Sequence, residues 1–209
     1  MKKLKQWSFM LLCTILLFGV IPSSPVSIGV KEVQAKASAS TKNKAKKAFK
    51  KFLQKNNYGY YRMWDINKDG LKELIVTSVY PTGGIGAMQG EVYTYRKGKV
   101  QYAGKVGHPS HGIMYNISTG RIHSRRGGGG GIEDWYYTLT KSGKIKQIMC
   151  GAYVNGVKNG NTQYKCIYNG KRISFNKFMQ ITRKWSRQTE TLQFYRNTAY
   201  NRKYNLKMS

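Results

Sequence analysis

Three of the eight acidic side chains, Asp65, Asp69 and Glu73, fall within nine residues of a chain that carries 37 lysines and arginines. Asn67 and Gly70 stand between them. Counting Asp65 as the first place, oxygen donors fill the first, third and fifth, glycine the sixth and Glu73 the ninth. Alternate oxygens around a tight turn are what a hard cation such as calcium requires, and the carbonyl of Leu71 can supply the seventh place. Gly70 lets the backbone turn sharply there. The expected ligand set for Ca2+ is therefore Asp65, Asn67, Asp69, Leu71 and Glu73, and the role is structural. The ion would neutralise carboxylates that otherwise repel. Lys68 and Lys72 cut the local charge from −3 to −1 and weaken that attraction. The same residue types also build a metal-free Asx turn.

The loop is not an EF-hand. That motif needs a carboxylate at the twelfth place, where Val76 stands, and Glu73-Leu74-Ile75-Val76-Thr77 favours a strand over a helix. Asp65 to Leu74 instead resembles the FG-GAP/VCBS-type calcium loop of integrin-like propeller blades and many bacterial surface proteins. More broadly, residues 45–185 resemble small secreted domains of Gram-positive bacteria whose function is uncharacterised. The likeness rests on a lysine-rich helix, this loop, a Val-Tyr-Thr-Tyr-Arg-Lys-Gly-Lys-Val hairpin, a glycine-rich segment and a late Asn-Gly-Lys before a helix. Only the ten-residue loop is specific. The resemblance implies that Asp65, Asn67, Asp69 and Glu73 donate side-chain oxygens and Leu71 its carbonyl. One copy excludes a whole propeller, which needs several blades.

Other chemistry is sparse. His108, His111 and His123 are the three histidines, and with Glu133 or Asp134 as a base they could form a zinc site. Pro109 and the surrounding glycines put them on a loop, where ligand geometry is poorly held. Arg125-Arg126 followed by five glycines could offer amides and guanidinium groups to an anion, but lacks the Gly-Lys-Ser/Thr ending of a phosphate loop. Five consecutive glycines also suit a flexible loop. Cys150 and Cys166 are symmetric about residue 158 in an Asn/Gly-rich turn segment. A hairpin there would set them opposite one another as a possible disulfide, with two free buried thiols as the alternative.

The elements that must position these groups begin after an export signal. Lys2, Lys3 and Lys5 precede an apolar run from Phe9 to Val20, with small residues and cleavage points near Ala35 and Ala37, so 1–35 reads as a signal peptide. Its removal takes four lysines and Glu32 away, leaving 33 basic against seven acidic side chains, net +26, over 174 residues. No later segment is apolar enough to span a bilayer as a helix. Residues 36–44 read as a linker, and 45–188 as one α+β domain. Ala45, Ala48, Phe49, Phe52 and Leu53 predict an amphipathic helix on a twisted antiparallel sheet or meander. Turns at Lys97-Gly98, Lys141–Lys144 and Asn169-Gly170 separate the strands. Ser174 caps a second amphipathic helix, and 189–209 reads as a basic, tyrosine-rich strand or tail. These properties point to a secreted or cell-surface module, calcium-stabilised, that engages an anionic polymer such as teichoic acid, an acidic glycan or extracellular nucleic acid. The alternatives are a hydrolase or wall-modifying enzyme using the His108–Asp134 region, and a cationic membrane-active factor.

Overall fold

Continuous apolar runs beside alternating ones dictate a layered protein, because a strand buried on both faces needs cover on both sides. The computed structural model describes residues 36–78, 89–108 and 112–208, and shows that arrangement. The expected signal peptide and His111 lie outside the described residues.

Helix α1 (Ala39–Lys55) is followed by strands β1 (Tyr60–Trp64), β2 (Glu73–Thr77), β3 (Gln89–Arg96) and β4 (Lys99–Gly107). Next come β5 (Met114–Asn116), β6 (Ile122–Gly128), β7 (Gly131–Leu139), β8 (Ile145–Lys158), β9 (Asn161–Tyr168) and β10 (Lys171–Ile173). Helix α2 (Phe175–Ser186), β11 (Thr189–Thr191), β12 (Tyr195–Arg196) and α3 (Ala199–Tyr204) complete the order. All described strand pairs are antiparallel. They divide into two sheets rather than a single one, ordered β12-β1-β2-β3-β4 and β10-β9-β8-β7-β6-β5-β11.

Three apolar clusters hold these layers. Ile75, Val92 and Val106 of the first sheet meet Ile122, Tyr137 and Leu139 of the second. On the other face of the first sheet, Leu74, Val76, Tyr61 and Met63 cover Ala45, Phe49 and Leu53 of α1. On the outer face of the second, Tyr136, Cys150, Ala152 and Cys166 cover Phe178 of α2. Leu74-Ile75-Val76 thus alternates between two cores, which is why all five residues of β2 are buried.

Two expected boundaries shift. Residues 39–44 are helical rather than linker, because the Ser38 side chain accepts from Thr41 N at 3.2 Å and starts α1 there. Residues 189–208 are built into the fold. β11 pairs with β5 and β12 with β1, and Leu206 and Met208 are buried in the α1 cluster. The Asn197 side chain also donates to the carbonyls of Leu53 and Tyr58 at 3.0 and 2.9 Å, tying this segment to the end of α1.

The glycine run is a hairpin, not a long loop. Gly127 and Gly128 belong to β6, and Gly129-Gly130 is the two-residue turn into β7. Gly131 has φ +147°, and a Cβ there would stand 2.5 Å from the carbonyl oxygen of Ala152 on β8. Close strand approach therefore requires glycine at that position.

Candidate metal centre and basic surface

The acidic loop joins β1 to β2, so its ends are pinned by the pairing of Trp64 with Glu73. Lys68 at φ +59° and Gly70 at φ +82° curl the backbone between them. The side chains turn inward onto loop amides. Asp65 Oδ2 accepts from Gly70 N at 2.8 Å and its Oδ1 from Asp69 N at 3.1 Å. Asp69 Oδ1 accepts from Leu71 N at 2.8 Å, and its Oδ2 from the Asn67 amide at 2.9 Å. Glu73 Oε2 accepts from Ile66 N at 3.0 Å across the loop. The loop is braced from outside as well. Trp64 Nε1 donates to Gly120 O at 2.6 Å, and Ala37 N donates to Asp69 O at 3.0 Å.

Burial and mutual repulsion disfavour charge on the loop carboxylates. Glu73 is 1% exposed, and burial followed by the charges of Asp69 and Asp65 raises its carboxyl well above the usual range, against the Ile66 amide. Burial and Asp69 likewise raise Asp65, against several loop amides. Lys68 Nζ lies over the Trp64 ring, 5.1 Å from the centroid. The donor chemistry fits a calcium ion. Among the described residues, however, no three His, Cys, Asp or Glu side chains converge as a metal cluster. A complete set here would draw on Asn67 and the Leu71 carbonyl, with carboxylates released from backbone amides.

His108 and His123 do not gather. His108 stacks on Trp135 at 4.8 Å, and Trp135 packs on the core between the sheets. His123 stacks on Tyr136 at 4.8 Å, in the cluster under α2. Consecutive residues of β7 point to opposite faces, so the sheet separates the two rings. Glu133 instead accepts from Tyr153 at 2.8 Å. What the hairpin does assemble is a buried charge group around Asp134. Its Oδ1 meets His123 Nε2 at 2.8 Å and Arg125 Nε at 2.7 Å, and its Oδ2 accepts from Arg125 Nη2 at 3.1 Å. Burial alone would raise the Asp134 carboxyl, but the hydrogen bonds from His123 and Arg125 outweigh it and hold the group below its usual range.

Beside this group α2 presents a basic surface. Arg183, Lys184 and Arg187 line a groove of about 720 Å³ with Phe175, Met179 and Gln180. Exposed Phe175 stacks on Tyr164 of β9 at 4.8 Å, adding an aromatic ledge. The capping contact from Ser174 to Lys177 N, 3.2 Å, sets where this helix starts and so which residues face outward.

Cys150 and Cys166 are close but not opposed. Cys150 pairs with Tyr168, and Cys166 with Ala152. The turn falls at Asn159-Gly160, both with positive φ, rather than at residue 158, and a bulge between Val154 and Gly156 adjusts the register again. Both thiols are free and buried, and burial followed by the Asp134 charge pushes Cys150 up to about 12.

Comparison with protein families, with curated proteins and with solved structures gives no match. Arg121, Tyr136, Lys184 and Trp185 were not singled out as functional by sequence reasoning, and Arg125 was read only as a donor to an anion, not as the partner of Asp134. Centring the hairpin on Gly129-Gly130 is the signal that brings His123 opposite Tyr136 and Arg125 opposite Asp134.

Proposed function

We propose that the chain is an exported cationic module that binds an anionic polymer (teichoic acid, an acidic glycan or extracellular nucleic acid) and takes calcium in its acidic loop as a structural ion. The observation that carries this reading is the charge imbalance, 33 basic against seven acidic side chains after residue 35. Its placement supports the same reading. Exposed Lys44, Lys47, Lys50, Lys51 and Lys55 lie along α1, and Arg183, Lys184 and Arg187 border the groove on α2. Surface charge of one sign attracts polyanions over roughly a Debye length, about 10 Å at 0.1 M salt. The groove adds an apolar floor and stacking rings, which suit a polymer with ring units between its charges.

Retention on immobilised teichoic acid, heparin and DNA at low salt tests the reading. Binding should weaken steeply with salt, and replacing Arg183, Lys184 and Arg187 together by alanine should lower the elution salt. Flow-through on all three matrices at low salt ends the proposal.

A second reading, a hydrolase, draws support from the His123–Asp134 pair, since a carboxylate that orients an imidazole is a familiar general-base arrangement. Turnover of a cell-wall polymer that disappears in His123→Ala, in a protein of unchanged melting temperature, would move the assignment there.

A further inference from the structure

Two polar atoms near the end of α2 are buried without any hydrogen-bond partner, His123 Nδ1 and Tyr136 Oη. His123 is 2% and Tyr136 1% exposed. Tyr136 Oη stands toward Ser186 but does not reach hydrogen-bond geometry with it. An unpaired buried polar group is costly, so two of them on stacked rings call for a guest. Both residues line one small cavity of about 50 Å³, with Arg121, Lys184, Trp185 and the Asn116–Thr119 turn.

The walls choose the guest's charge. Arg121 lies over the Trp185 ring, 4.6 Å from the centroid, and Trp185 packs on Tyr136 at 4.3 Å. Arg121 and Lys184 thus both line the space. Among the described residues no carboxylate lines the space. Asp134, the carboxylate bonded to His123, is also met by Nε and Nη2 of Arg125. A cation would face two positive side chains with no counter-charge, so a metal is excluded by the lining. Asn116 is also spent, its oxygen accepting from Thr119 N and Oγ1 at 2.8 and 2.9 Å.

We propose that this cavity is a socket for one phosphate group. Tyr136 Oη donates to a phosphate oxygen, and Arg121 and Lys184 neutralise its charge. Because Nε2 of His123 is engaged with Asp134, Nδ1 is the ring atom left for the guest. A single proton between Nδ1 and a phosphate oxygen makes that bond, whichever atom carries it. The size agrees, since a water needs roughly 10–15 Å³ on this measure and the cavity accommodates a cluster of a few oxygens. The socket deepens the polymer-binding reading by naming phosphate as the recognised unit, and rests on that reading only for the polymer as its source. It adjoins the α2 groove through Lys184, so a chain lying on α2 could place one phosphate inside.

Titration of the folded protein with inorganic phosphate, followed by calorimetry and by the ring signals of His123 and Tyr136, tests the socket. Saturable binding at millimolar phosphate is expected, weaker by about tenfold or more in Tyr136→Phe, which removes one charge-assisted hydrogen bond. That variant loses no hydrogen bond in the free protein, so its melting temperature without phosphate should not fall. Arg121→Gln should weaken binding as well. Absence of binding, or equal binding by wild type, Tyr136→Phe and Arg121→Gln, overturns the proposal. Competition by glycerol-phosphate polymer, short DNA or vesicles of anionic phospholipid then identifies the source. If the polymer matrices retain the protein while free phosphate does not bind, the socket alone is wrong. If phosphate binds while the matrices do not, the polymer reading alone is wrong.

Discussion

Replacing Glu73 by glutamine isolates the metal question from the folding question. Glutamine keeps an oxygen to accept from Ile66 N and removes a buried charge flanked by Asp65 and Asp69. In chelator, Glu73→Gln should therefore melt at or slightly above the wild-type temperature. Calcium should reverse the order. A weak extracellular site with Kd of about 1 mM, filled at roughly 10 mM calcium, stabilises by about 1.4 kcal/mol. For a domain of this size that is a rise of about 3–6 °C. The variant, short of one carboxylate, should gain little of it. The pH dependence has a definite sign. The folded value of Glu73 lies above its ordinary value of 4.5, so the native chain holds a proton that the unfolded chain releases. Without metal, stability falls as pH rises from 4.5 toward the folded value, then levels off. Calcium competes with that proton, so its increment should grow with pH over the same window. Scanning calorimetry with and without calcium, for both proteins, measures all of this. A wild-type melting temperature unmoved by millimolar calcium, or an equal shift in Glu73→Gln, refutes the reasoning.

Three further outcomes are expected. Ser174→Ala should destabilise by about 1 kcal/mol, read by chemical denaturation, because it strips the cap from Lys177 N. Gly131→Ala should cost about 1–3 kcal/mol, given its positive φ and the 2.5 Å approach to Ala152 O, whereas Gly129→Ala, with open space around it, should be near neutral. Cys150 and Cys166 should resist alkylation in the folded protein and both react once it is unfolded, as counted by mass spectrometry.

Local chemistry carried much of this architecture into the sequence. Asn169-Gly170 and Lys97-Gly98 take positive φ at both positions, as two-residue hairpin turns require, and Ser174 caps α2 through its own side chain. The division into two sheets was not legible in the same way. Alternation in β2 or β7 says which residues share a face, but not whether a helix or another sheet covers that face. The candidate site divides along the same line. The loop residues announced themselves because all lie within nine positions. The group around Asp134 did not, because its members come from β6, β7 and α2 and meet only through the register set at Gly129-Gly130. The cysteines show how small the margin is, since a later turn and one bulge left Cys150 opposite Tyr168, two positions past Cys166.

Both β-sheets borrow an edge strand from residues 189–196, and Leu206 and Met208 plug the layer beneath α1. A ribosome that has reached residue 188 has therefore made a chain with two unsealed borders and an unfilled hole under its first helix. Closure must wait for distant partners such as Tyr60–Arg196 to find one another, a search that is slow for any topology so non-local. Products shortened in this region should be cleared by proteases rather than accumulate as a smaller, working version.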